Sequence, residues 1–178
     1  MDLWSVLNTR RSVRSFSPRP VSSEAIERAL EAARAAPSAN NIQPWKFIVV
    51  RSASSRLRIA ELSAGQMFIA EAPVVIVCCV RRYRDEYSWL QERMCLVDGS
   101  IAFTHLILAA RAEGLGTCWI GAFSHDELKR HLGVPGDYDI LALTPLGFPK
   151  DENAFRPVVD RKPFEDVVFL DHFGGEME

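Results

Sequence analysis

Apolar residues recur along this chain with two different rhythms, and each predicts its own kind of element. Over 21–36, Ile26, Ala29, Leu30 and Ala33 fall at helical spacing, which predicts an amphipathic helix. Ser22 or Ser23 is placed to cap its first turn, Glu24 and Glu27 sit near its positive end, and Pro37 stops it. Short helices are predicted over 2–9 and within "ASSRLRIAELSA" (53–64). Unbroken apolar runs rich in branched residues read differently: "WKFIVVR" (45–51) and "PVVIVCCV" (73–80) predict buried strands.

From 86 to 113 runs the longest helical stretch, and "MCLVDGSIAFTHLILAA" within it is apolar on nearly every face. Such a helix has to be covered all round. A chain of 178 residues is too small to wrap it completely, so part of it is expected to pack against a second subunit. Gly114 and Gly116 end the helix. A strand or extended turn at "TCWIGAF" (117–123), a short helix at "HDELKRHL" (125–132) and a strand at "YDILALTPLGF" (138–148) follow. A tail then stays largely polar until "FEDVVFL". Helices outnumber strands without strict alternation, so the predicted class is α+β, in one domain spanning 1–178.

Composition narrows the function. With 48% hydrophobic and 25% charged residues, this is an ordinary globular chain. A nucleic-acid binder would carry a strongly basic balance, whereas the net charge is −2 and the pI about 6.1. Any anion site has to be local, and no nucleic-acid partner is expected. The start lacks the cationic stretch, apolar core and cleavage site of a secretory leader, so the expected location is the cytoplasm. No membrane association is expected, since the 73–80 run is far below the roughly 20 residues of a span. Cys78, Cys79, Cys95 and Cys118 lie in apolar runs without CxxC pairing, which favours reduced core thiols over disulfides or a metal site.

Two polar clusters carry the candidate chemistry. "TRRSVRSFSPRP" concentrates Arg10, Arg11, Arg14 and Arg19 around Ser12. Guanidinium forks with a hydroxyl suit a multivalent oxyanion such as phosphate. Arginines after a helix can also sit near its negative end, or be solvated. In "APSANNIQPWKFIVV", Ser38, Asn40, Asn41 and Gln43 form a loop before a buried strand. Its hydroxyl and amide groups can bond a polyol or a heteroaromatic edge, or satisfy their own backbone.

In order and spacing, "RRSVRSF", "PSANNIQPWKFIVV", "AP" before a strand, a helix with Asp98 ending in "LAARAEGLGTCWIGAF", then "LGFP" and "RKPFEDVV" resemble the nitroreductase family of FMN-dependent oxidoreductases. The resemblance covers nearly the whole chain. It implies a central mixed, mostly antiparallel sheet flanked by helices. It also implies an intertwined homodimer with two FMN sites at its interface, where the 150–178 tail packs on the partner. Arg10 and Ser12 would reach the phosphate and ribityl end, Arg14 the N1 and C2 carbonyl edge of the ring, and Arg161 the phosphate. Pro37, Ser38, Ala39 and Asn41 would belong to the loop that one subunit lays over the other's flavin. Trp119, Ile120, Gly121 and Ala122 would supply backbone near N5. Gln66 is a candidate contact to the ribityl chain or ring edge.

This chain departs from the family's pattern in places. Gly121 stands where some relatives have glutamate, and Val159 where some have a second cation, a role Arg11 could take. Thr104 and His105 replace a Gln-Asn pair, with His105 read as a satisfied interface residue. Tyr83, Tyr87 and Trp89 could stack on an aromatic substrate or be surface aromatics. "GLGTCWIG" misses the dinucleotide fingerprint because Trp119 takes the third glycine's place, and there is no G-x-S-x-G nucleophile motif. A flavin needs no side-chain nucleophile. The expected activity is transfer of hydride or electrons from NAD(P)H to a nitroaromatic, quinone or related small acceptor, in ping-pong fashion. Another flavin reaction on the same fold, such as flavin cleavage or reductive dehalogenation, and a non-catalytic flavin-binding module remain as alternatives.

Overall fold

The structure, a computed structural model of the chain, describes residues 1–82 and 88–176; of 88–93 it describes the backbone alone. Among the described residues, six α-helices and four strands follow one another: α1 (Leu3–Thr9), α2 (Ser23–Arg34), β1 (Trp45–Val50), α3 (Ala53–Leu62), α4 (Phe68–Glu71), β2 (Val74–Arg81), α5 (Ser88–Ala112), β3 (Gly116–Thr117), α6 (His125–Leu132) and β4 (Tyr138–Gly147). Ser22 is the N-cap of α2, its hydroxyl accepting the Ala25 N–H at 3.2 Å. Ile26, Ala29 and Ala33 form the buried stripe that the spacing predicts. α4 went unpredicted because four residues are too few to show a helical period.

The strands are ordered β1-β2-β4-β3, and every pairing between them is antiparallel. The parallel contribution among the described residues is a single bridge between Ser12 and Thr117. β2 explains its own unbroken apolar run. Val74, Ile76, Cys78 and Val80 enter a core with α2 and α5, while Val75, Val77 and Cys79 enter a second core on the opposite face with α3 and α6. Successive side chains of a strand point to opposite faces, and here both are covered. Helix α5 lies close on the sheet at Gly99, where a Cβ would collide with Val80 Cγ1 and reach within 2.9 Å of Leu141 Cδ2.

The 117–123 segment divides between the two forms expected of it. The extended segment at 117–123 is a regular strand only through Thr117, with one further bridge in the same register, Ile120 to Leu143. The interruption falls opposite Pro145, which has no N–H for the ladder, and the Cys118 N–H turns instead to Thr144 Oγ1 at 2.9 Å. As expected for a chain of this size, the long helix is covered only in part within one chain. Ala102, Phe103, Leu106 and Ala110 are buried, but Leu96 and Val97 are 44% and 47% exposed. Met94–Ala112 has the length and composition of a membrane span, and half of it lies inside the protein.

Candidate active site

The arginine segment lies directly after α1 and is stapled to the sheet edge. Val13 N–H donates to Thr117 O at 2.8 Å, Ser17 N–H to Phe148 O at 2.8 Å, and Phe16 N–H to Glu71 Oε2 at 3.2 Å. Val13 and Phe16 point into the protein; Ser12, Arg14 and Ser15 are exposed. Gly116 permits this close approach, because a Cβ there would stand 2.8 Å from Val13 Cγ2. Thus the packing of two apolar anchors turns the polar residues outward on a fixed backbone.

The tail closes the other wall. Val158 N–H donates to Asn8 O at 2.9 Å, and Lys150 N–H to Ser15 O at 3.2 Å. The nearly buried Arg111 donates to Thr9 Oγ1 at 3.0 Å and stacks 3.9 Å over the Phe155 ring, tying α1, α5 and the tail together. Burial lowers the Arg111 pKa from its ordinary value, while the ring face gives the cation a partner. Between these walls lies a cleft of about 970 Å³ lined by Arg10, Arg11, Ser12, Arg14, Arg156 and Arg161, with Asp151 and Asn153 also on it.

Five arginines against one aspartate make this cleft anion-seeking. The guanidinium groups of Arg10 and Arg14 make no hydrogen bond or ion pair with another described residue, so their donors are open to a ligand. Arg161 donates one bond, at 2.6 Å, to the carbonyl of Asp160. Arg11 acts differently, because its Nε donates to Arg156 O at 3.0 Å and its Nη2 to Pro157 O, so it fastens the tail. Burial pushes the Cys118 thiol pKa up, while Arg14, the Ser12 hydroxyl and Arg10 pull it the other way, which places that thiol beneath the arginine loop.

The remaining candidates lie outside that lining. Trp119, 40% exposed, packs edge-on against Phe103 with ring centroids 4.9 Å apart. Gly121 and Ala122 are exposed, and a Cβ on Gly121 would meet just Trp119 Nε1 at 3.9 Å, so the space beside this backbone is open. Gln66 donates from Nε2 to Ser63 O at 2.9 Å, closing its own turn. Pro37, Ser38, Ala39 and Asn41 form a separate loop before β1, held by Asp98. His105 Nδ1 lies 3.3 Å from Ala32 O. Tyr83, Tyr87 and the side chain of Trp89 lie outside the described residues. Arg156 and Asn153 were missed by sequence reasoning, because only the folded-back tail brings them to the cleft.

FMN carries a phosphate and a broad planar ring. Unpartnered guanidiniums and an open glycine backbone on adjoining segments fit such a group. Comparison with known proteins agrees. The model of the family described as "Nitroreductase family" matches residues 7–86 and 64–148. A protein of Archaeoglobus fulgidus provisionally named NADH dehydrogenase/NAD(P)H nitroreductase is 37% identical over 88% of this chain and 90% of its own. An FMN reductase [NAD(P)H] of Bacillus subtilis is 32% identical over 90% of this chain and 70% of its own. The crystal structure of a nitroreductase family protein from Clostridium novyi NT superposes with a TM-score of 0.79 at 31% identity, covering 98% of this chain and 96% of that one. An α+β sheet of this topology, a cleft of this charge and these likenesses along most of the length lead to one conclusion: the chain belongs to the nitroreductase family.

Proposed function

We propose that this protein is a homodimeric, FMN-dependent oxidoreductase that moves reducing equivalents from NAD(P)H to a small acceptor such as a nitroaromatic or a quinone. The observation that carries the reading is the convergence of Arg10, Ser12 and Arg14 from one end of the chain and Arg161 from the other on a single cleft. In it, Arg10, Ser12 and Arg161 hold the phosphate and ribityl end. Arg14 would face the N1 and C2 carbonyl edge, where its guanidinium would favour negative charge on the ring. Trp119, Ile120, Gly121 and Ala122 bring backbone against the ring. FMN, when bound, supplies the electron chemistry, so these residues bind, orient and tune. Donor and acceptor take turns on the open face, giving ping-pong kinetics.

The second subunit completes the site. Pro37, Ser38, Ala39 and Asn41 serve the flavin of the partner, which accounts for their separation from the arginine cleft of their own chain. The tail beyond 150 exposes Val159, Phe164, Val167 and Phe173 at 59% or more, apolar surface that packing on the partner would cover. Protein purified with FMN is expected to be yellow and to bleach on anaerobic addition of NADH or NADPH. Colourless protein that takes up no FMN would overturn the proposal. Bound flavin that NAD(P)H cannot reduce would shift it to another flavin reaction on the same fold.

A further inference from the structure

The 37–43 loop is tightly constrained for a surface loop. Asn40, Asn41 and Gln43 have φ of 48°, 57° and 54°, in the left-handed region that residues with a Cβ rarely adopt. A backbone of that kind persists only where its surroundings over-determine it. Within the loop, Ser38 Oγ accepts the Gln43 N–H at 2.9 Å, and Gln43 Nε2 donates to Asn41 O at 3.0 Å. Ser38 occupies the N-cap position of the short Ala39–Asn41 turn yet gives it no side-chain cap, its hydroxyl being committed to Gln43. The cap comes from another element. Asp98 Oδ1, on α5, accepts the Ala39 N–H at 3.1 Å across 59 positions of sequence.

Asp98 is 2% exposed, while its neighbours Leu96 and Val97 are open on the same turn of helix. A buried carboxylate is unfavourable unless hydrogen-bonded, and an apolar residue would fill the position as well. What the carboxylate adds is hydrogen bonding, and at Ala39 that bonding reaches the loop. We infer that Asp98 is a positioning residue for flavin binding: from α5 its carboxylate caps the left-handed 38–43 loop and so fixes Ser38, Ala39 and Asn41 as they meet the cofactor. The inference rests on the proposed function, in which this loop lies on the partner's flavin.

The test compares wild type with Asp98→Asn, which keeps an acceptor oxygen, and Asp98→Ala, which removes it. FMN dissociation constants, kcat and KM of the FMN-loaded dimers, sedimentation, and amide exchange at Ala39 are measured. Asp98→Ala is expected to bind FMN about 10-fold more weakly and to lose protection at Ala39, with the dimer intact, whereas Asp98→Asn stays within about 2-fold of wild type. Equal affinity in all three proteins, or an affinity loss that merely follows dissociation into monomers, overturns the inference. Asp98→Leu, which fills the volume with apolar atoms, replaces Asp98→Ala if the latter does not fold. Wild type that takes up no FMN would sink the proposed function and this inference with it; wild type that binds while Asp98→Ala binds equally well would sink this inference alone.

Discussion

Neighbouring arginines in one short segment carry unequal duties, and the difference is set by which backbone carbonyls lie within reach. Arg11 finds Arg156 O and Pro157 O and becomes a strap for the tail; Arg10 and Arg14 find no such partner and stay open on the cleft. Nothing in the string "TRRSVR" separates them, since all depends on where a segment 145 positions away folds back. Two substitutions should part the roles at opposite ends of the cofactor. In the proposed site Arg14→Ala would remove a cation from the ring edge, and it is expected to lower the flavin reduction potential by about 30–60 mV. That range corresponds to about 1.5–3 kcal/mol of a charge-assisted bond in a two-electron couple. Arg161→Ala is expected to leave the potential nearly unchanged and to weaken FMN retention about 10- to 100-fold. Spectroelectrochemistry and ultrafiltration of the loaded protein measure the two effects, and the reverse pattern would exchange the assignments.

Among the elements, those whose side chains make contacts with a period were readable in advance. The α2 stripe, its Ser22 cap, β1, β2, α6 and β4 all appear close to their expected limits. α4 and the break after β3 escaped, the first by shortness and the second because it depends on which residue of β4 lies opposite. In the candidate site, the arginine loop was legible from residue type, and Arg161 through the family resemblance of the motif that carries it. The tail's other contributions and the Asp98 cap were not, because each joins segments remote in sequence. β2 also sets a pH dependence. Burial pushes the Cys79 thiol up to about 11 from an ordinary value of 9.0. A raised value means that folding stability is whole below the unfolded pKa and is lost as pH rises through the folded one. Stability should therefore fall between about pH 9 and 11 as the unfolded chain ionises first. Urea denaturation of Cys79→Val is expected to show a shallower alkaline decline than wild type, with the same dependence on pH near pH 7; identical slopes throughout would place the decline elsewhere.

At the level of the whole molecule, one chain folds around its sheet yet leaves the helix that crosses it bare along a face. Leu96, Val97, Ser100, Ile101, Thr104 and Leu108 border a shallow apolar hollow of about 560 Å³ on α5. The buried face of that helix already holds the core together, so the open face can be changed without unfolding the protomer. Val97→Glu places a charge where a second copy would bring apolar surface. An unpaired charge buried at such an interface is strongly unfavourable, by several kcal/mol. The variant is expected to sediment as a folded monomer that still melts cooperatively, at a lower temperature than the FMN-free wild type, which its second subunit stabilises, and to retain FMN poorly. The arginine cleft would remain intact in it, so loss of FMN there would isolate what the second subunit contributes. Wild type that sediments as a monomer, or a monomeric Val97→Glu that still holds FMN as tightly as wild type, would show that one chain suffices for the site.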